Sequence, residues 1–345
     1  MSKRVDVVVD LQFGSTGKGL LSAYLSTRER YTGAISVNMP NAGHTAYDFE
    51  GNKFVHKVLP SGLFSPYLEF IGIGPGSVFS IDRLAKEWAN VKDKIRGEFQ
   101  LMIHEAAGVL TEGHAEIERA SLGRIASTMQ GSGAALCDKV MRNPGAIARD
   151  NEFAILAKVP DAKILTSQQW TSLIHHSTGP ILVEGSQGYS LGLSAGFYPH
   201  CTSRDCTPAR VLADANVPLQ MVRHVHGSCR VHPIRVGNVP EGTSGGWYKD
   251  QQEICFGTLG VAPETTTVTG RVRRVATFSK IQIQEAILAA MPDHIFLNFF
   301  QYNKEHSNAA LADIVSVYLA NQLPLPRVYI GEGPMLYNVK QRNAP

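Results

Sequence analysis

The sequence predicts an α/β protein, a single domain in which one large, mainly parallel central sheet is flanked by helices. Short runs rich in Val and Ile recur between longer stretches of helical periodicity. Those runs are continuously hydrophobic and do not alternate with polar residues, which means that both faces of each strand are covered. No Pro/Ser/Gly linker, low-complexity tract or internal repeat divides the 345 residues, so 1–345 reads as one domain.

Taken in order, the first strand covers 5–9, and a glycine-rich segment leads from it into a helix over 20–30. Strands over 34–39 and Phe70–Ile73 come next, followed by a helix over Ile81–Val91. Further strands cover 101–104, Ile181–Glu184, 294–299 and 327–330. The segment GIGPGS, with Gly72, Gly74 and Gly76, lacks the spacing of a dinucleotide fingerprint and contains Pro75, so it reads as a tight turn. RHVHGSCRVH, with His224, His226, Cys229 and His232, lacks the ligand spacing of a zinc site, and its alternating His and Val read as a strand.

Composition narrows the partners. The net charge is +3 with 18% charged residues, and Lys and Arg are scattered without basic blocks or interleaved aromatics, so no nucleic-acid partner is expected. Five cysteines without a CxxC pair fit reduced thiols and not a disulfide framework. The opening MSKRVDVVVD has too short an apolar run for a signal peptide, and no stretch of 18 uncharged apolar residues occurs. The expectation is a cytoplasmic protein without a membrane partner.

The chemistry is expected where the first strand ends, because ligands of such sheets sit beyond the carboxyl ends of the strands. There DLQFGSTGKG supplies Gly14, Gly17 and Gly19 for close backbone approach and Lys18 for charge, in the strand, glycine loop, helix order that cradles phosphate. It is a variant of the standard phosphate loop, with Gln12 and Gly19 at positions that would carry Gly and Ser or Thr. Near the other end, TTTVTGRVRR reads as a Thr/Gly loop ending in guanidinium groups, suited to a dicarboxylate.

Five segments in this order resemble adenylosuccinate synthetase across nearly the whole chain: GSTGKG at 14–19, NAGHT at 41–45, STMQGSG with DKVMR within 127–142, EGSQG with YPHCTS within 184–203, and TTTVTGRVRR at 265–274. The resemblance implies a homodimer that uses Mg2+ and a nucleoside triphosphate. It implies that the purine 6-oxygen is first phosphorylated and that the phosphate is then displaced by the amine of L-aspartate. By the same resemblance Ser15, Lys18, His44 and Gln187 form the catalytic group, with His44 as the acid on the 6-oxygen side. Gly14, Ser15, Thr16, Gly17, Lys18, Gly19, Gly43, His44, Thr45 and Arg273 would surround the triphosphate, and Ser15 and the Gly43 carbonyl would face the magnesium. Ser15, Asn41, Thr128, Gln187 and Thr202 would hold the acceptor nucleotide, with Arg142 reaching it across the dimer. Thr266, Thr267, Val268, Thr269 and Arg271 would close on aspartate.

Two departures bear on the substrate. The family's loop reads GDEGKG, with an aspartate that ligates magnesium and takes the N1 proton, and this chain has Ser15 there. A hydroxyl is a weak magnesium ligand and no unaided base near neutral pH, but it leaves room for the 2-amino group of guanine. The family also reads the guanine of its GTP with an aspartate in a TKLD-like motif, where IFLNFFQYN stands here. Asn298 and Phe300 take the places of the lysine and aspartate, and an aromatic wall suits adenine. Gly333, in GEGP, matches a base-pocket turn. Both losses match a bacteriophage branch of the family, which is implied to join L-aspartate to dGMP at the expense of ATP or dATP. Ordinary IMP chemistry with GTP and a non-catalytic nucleotide-binding homologue are the alternatives.

Overall fold

The computed structural model describes residues 3–95, 98–266 and 270–342. A sheet of ten strands runs through it. From edge to edge these are Val339–Arg342, Arg327–Gly331, His294–Asn298, Val222–Arg230, Val5–Asp10, Ile181–Glu184, Gly33–Ser36, Phe70–Ile73, Gln100–His104 and Ala162–Leu165. Neighbours are parallel throughout except at the edge formed by Arg327–Gly331 and Val339–Arg342. The expected mainly parallel α/β sheet is therefore present, and RHVHGSCRVH lies in and just beyond the strand Val222–Arg230. The run at 34–39 is extended in the sheet only as far as Ser36.

Burial on both faces explains why the strand signal is continuous. Val5, Val7 and Val9 pack in one cluster with Val211, Ile283 and Leu311 of the helices Pro208–Ala215, Lys280–Ala290 and Lys304–Ala320. Val8, on the opposite face, packs with Leu20, Leu21 and Leu25 of the helix Lys18–Arg28. Each such side chain contributes about 1.5–3 kcal/mol by leaving water. The edge strands Ala162–Leu165 and Val339–Arg342 escape sequence detection because they are only partly covered and carry Lys, Gln and Arg.

GIGPGS forms a tight turn in which the Ser77 amide donates to the Gly74 carbonyl at 3.0 Å. A Cβ on Gly76 would stand 2.3 Å from the Asp214 side chain, so this glycine is required by close packing. Among the described residues all five cysteines are free, and no helix is long and apolar enough to cross a membrane.

Three histidines packed within the fold are held neutral. Burial pushes His104 and His232 down to about 4 and His294 down to about 3. Lys139 adds to this at His104, His306 and Arg230 at His232, and His226, His224 and Arg327 at His294, while Glu105 and Asp293 oppose it. The unfolded chain takes up these protons near its ordinary histidine value of about 6.5, so the stabilisation is complete above that pH and is lost as pH falls toward the folded values. The urea midpoint is expected to be lower at pH 5 than at pH 7, and His294→Asn is expected to flatten that difference. Equal midpoints at the two pH values would contradict the assignment.

Candidate active site

The first strand delivers its chain to the carboxyl edge of the sheet at Asp10, and a tight loop then turns back into the helix that starts at Lys18. Gly14, Ser15 and Gly17 have φ of 86°, 56° and 97°, so the loop winds through left-handed backbone at three of four successive positions. A Cβ on Gly17 would lie 2.1 Å from the Asn298 amide, and only glycine fits there. The helix has no side-chain cap and no acid in its first turn, which leaves its positive end open to an anion.

NAGHT folds over this helix start. A Cβ on Gly19 would stand 2.8 Å from the Thr45 carbonyl, which measures how closely the two segments meet. Together they line a cleft of about 370 Å³ that contains Gly14 to Gly19, Asn41, Gly43, His44, Thr45, Thr128, Gln187, Thr202, Thr266 and Arg273. Residues far apart in the chain are thus brought to one cavity of a size suited to small ligands.

Inside the cleft, His44 is anchored through Nδ1 by a short hydrogen bond to the Glu184 carboxylate. Glu184 is fully buried and also accepts from the Ser61 amide at 2.9 Å and hydroxyl at 3.2 Å. Burial alone would raise its carboxyl, but the charge and hydrogen bond of His44 and the Ser61 amide outweigh this and hold it below the ordinary range. A carboxylate on Nδ1 fixes the ring and leaves Nε2 for chemistry. Glu184 opens the EGSQG segment, yet a buried Glu at the end of a continuous apolar strand is the signal that could have marked it.

Gln187, also left-handed at φ 59°, donates from Nε2 to Asn41 Oδ1 at 2.8 Å, and Asn41 Nδ2 donates to the Thr202 hydroxyl at 3.5 Å. Its carbonyl accepts from Lys18 Nζ at 2.7 Å. The amides of Gly131 and Gly133, around the start of the helix Ser132–Met141, are each held by the Glu118 carboxylate at 2.7 Å, which shapes the STMQGSG loop containing Thr128. Arg142 follows that helix in a left-handed, exposed position away from the cleft of its own chain.

Two arginines clamp Ser15. Arg273 Nη1 donates to the hydroxyl at 2.6 Å, and Arg230 Nη1 donates to the carbonyl at 3.3 Å. Arg230 is fully buried, paired bidentately with Glu264 at 2.5 and 3.1 Å, and lies 3.8 Å from the centre of the Phe299 ring. Glu264 is the one carboxylate lining the cleft among the described residues. Arg271 donates to the Gly237, Ala126 and Ser127 carbonyls at 3.2, 3.1 and 2.9 Å, and its amide donates to the Thr266 hydroxyl at 3.1 Å. Thr267, Val268 and Thr269 lie outside the described residues.

The structure corrects the expected base wall. Phe300 is buried in the core behind the sheet, whereas its neighbour Phe299, at φ 59°, faces the cleft. One left-handed residue is enough to exchange which of two adjacent phenylalanines points inward. Asn298 does not line the cleft either: its Nδ2 donates to the Thr16 carbonyl at 3.0 Å, tying the phosphate loop to the strand His294–Asn298. Gly333 packs against the Asn338 side chain and does not line the cleft.

His224, Asp293 and His294 are the one described group whose composition could hold a metal. The rings of His224 and His294 stack at 4.5 Å with 20° between their planes.

A phosphate-cradling loop, an acid-anchored histidine and an arginine-bearing loop around one cleft define a nucleotide-dependent transferase or ligase site on an α/β sheet. Residues 7–158 and 150–305 match the adenylosuccinate synthetase family model, and the chain belongs to that family. Within it, the chain is 45% identical to the N6-succino-2-amino-2'-deoxyadenylate synthase of Vibrio phage phiVC8 over 99% of its own length and 98% of the relative's. Its fold superposes on the succinoaminodeoxyadenylate synthetase of cyanophage S-2L, a structure bound to dGMP and to dATP as an energy donor. That match has a TM-score of 0.89 and 38% identity, covering 100% of this chain and 96% of the other. The fully ligated adenylosuccinate synthetase of Plasmodium falciparum shares the fold at a TM-score of 0.77 and 18% identity, covering 99% and 100%.

Proposed function

We propose that this chain is a ligase that joins L-aspartate to C6 of dGMP, using ATP or dATP and giving N6-succinyl-2-amino-2'-deoxyadenylate, ADP or dADP, and phosphate. The observation that carries the reading is Ser15. At the centre of the phosphate loop stands a hydroxyl held by Arg273, with no carboxylate free on that side of the cleft among the described residues. The small side chain leaves space beside N1 for the 2-amino group that distinguishes guanine from hypoxanthine. The phage relatives, with their printed names and the dGMP of the cyanophage structure, support the same assignment.

The guanine 6-oxygen attacks the γ-phosphorus, the bond to the β-phosphate oxygen breaks to release ADP or dADP, and the N1 proton passes to water. Lys18 and the loop amides neutralise and align the transferring phosphoryl, the step on which most catalysis of such transfers rests. The aspartate amine then adds at C6, gives up one proton to water and expels phosphate, with His44 Nε2 holding the proton at the 6-oxygen and Arg271 gripping the aspartate carboxylate. Phe299 lines the cleft and offers its ring to the base of the triphosphate. A magnesium ion fits the site only as part of the triphosphate complex. Gly43 and Ser15 line the cleft, and the carbonyl of the one and the hydroxyl of the other would hold the ion together with the phosphates. Bound there it would offset charge on the phosphates.

Phosphate release should depend on dGMP and aspartate together, with ATP or dATP as donor. Faster turnover with IMP and GTP would refute the specificity, and no release with any acceptor would refute catalysis.

A homodimer completes the site in this reading. Arg142, exposed on its own subunit, would reach the acceptor phosphate of the partner. One charged hydrogen bond contributes about 1.5–3 kcal/mol, so Arg142→Ala is expected to raise the KM for dGMP roughly 10- to 150-fold. The KM for aspartate should stay nearly unchanged. An unaltered dGMP dependence, or a monomer in sedimentation at full activity, would contradict it.

A further inference from the structure

We infer that Asp10 is a positioning residue that aims the phosphate-binding lysine, acting from beneath the loop. Asp10 ends the first strand, is 1% exposed and does not line the cleft. Its carboxylate nevertheless gathers the whole loop. Oδ1 accepts from the amides of Gln12 at 2.8 Å and Gly14 at 3.1 Å, and Oδ2 accepts from the Thr16 hydroxyl at 2.5 Å and Lys18 Nζ at 3.2 Å. Thr16 is held in turn by the Ser228 hydroxyl at 2.7 Å.

The consequence for Lys18 follows from counting donors. An ammonium has three N–H groups. One goes to Asp10 and one to the Gln187 carbonyl at 2.7 Å, which leaves a single donor, and Lys18 lines the cleft although it is only 4% exposed. Asp10 is the sole ion-pair partner of Lys18 among the described residues. The pair therefore pins the direction of a buried ammonium before any nucleotide arrives. The site that receives the γ-phosphoryl is thus built in advance, and alignment of this kind is sensitive to displacements near 1 Å.

Asparagine cannot replace this carboxylate. Whichever way its amide is turned, an NH2 group faces either the Gln12 and Gly14 amides or the Thr16 and Lys18 donors, and the charge is gone. Glutamate is too long for the space: even a Cβ on Gly188 would stand 2.3 Å from Asp10 Oδ1, so the carboxylate has no slack.

The inference rests on phosphoryl transfer at Lys18, and its test separates the two ideas. Asp10→Asn is expected to lower kcat about 100-fold, with the KM values for dGMP and aspartate within about threefold of the original, since Asp10 reaches neither ligand. In a Lys18→Met background the same change should add less than about threefold to the single-turnover rate loss, because residues acting as one unit are not additive. A full second 100-fold loss would show a mere loop scaffold, and kcat within threefold of the original in the single variant would overturn the proposal outright. If Asp10→Asn does not fold, Asp10→Ser, which admits a water, serves in its place. On the unaltered enzyme, 15N spectra of the lysine ammonium groups give an independent readout: the resonance absent in Lys18→Met should show slow exchange without nucleotide. Fast exchange there would sink the inference even if the enzyme ligates dGMP. Inactivity of the unaltered enzyme towards every acceptor would sink the ligase reading while leaving the lysine measurement valid.

Discussion

His44→Asn is expected to reduce kcat by about 10²- to 10⁴-fold, the range associated with removing a positioned general acid or base. Asparagine retains some polarity but no group that titrates near neutral pH, so the loss should fall on kcat with little change in the KM for ATP or dGMP. The Glu184 carboxylate gives the prediction a graded companion. It anchors Nδ1 from a fully buried position while Ser61 saturates its remaining oxygen. Glu184→Gln keeps an acceptor for the ring but removes the charged partner that fixes its orientation through Nδ1. Its kcat should fall, but less than that of His44→Asn. Steady-state kcat of the three enzymes side by side reads both effects. A kcat for Glu184→Gln equal to that of the unaltered enzyme would show that the carboxylate does not hold His44 in its working position.

Ser15→Asp is expected to lower kcat/KM for dGMP by about 10- to 200-fold, the range that one unwanted group in a fitted pocket commands. IMP or dIMP should be affected far less, so the preference shifts toward hypoxanthine. The position tolerates aspartate, since Asp is among the residues that accept left-handed backbone such as the φ of 56° found here. Arg273 Nη1, 2.6 Å from the serine hydroxyl, would pair with the new carboxylate and hold it where Ser15 leaves space. Competition assays with dGMP and IMP at equal concentration give the ratio directly. A ratio that stays put would remove Ser15 from the account of specificity.

Much of this was legible along the chain. A strand of valines, a glycine loop and Lys18 in succession form a local unit, because the loop's backbone and the following helix end are set by neighbours in sequence. NAGHT and EGSQG could be recognised only by their resemblance to the family's own segments, and TTTVTGRVRR also by its threonines and arginines. What stayed hidden depends on distant partners. Asp10 reads as the polar end of a strand until Lys18 folds back over it. Glu184 reads likewise until His44, 140 positions away, meets it. Phe299 and Phe300 are indistinguishable by type, and a backbone angle decides which faces the cleft.

The sequence by itself determined the parallel α/β sheet and the position of the phosphate loop, since continuous hydrophobicity and local glycine chemistry are properties of neighbouring residues, and five segments in order carried the resemblance to the family. Only the tertiary structure decided how the buried charges pair, which ring lines the cleft, and that two arginines hold Ser15. These outcomes depend on distance and desolvation between remote segments, and a linear order of residues contains neither.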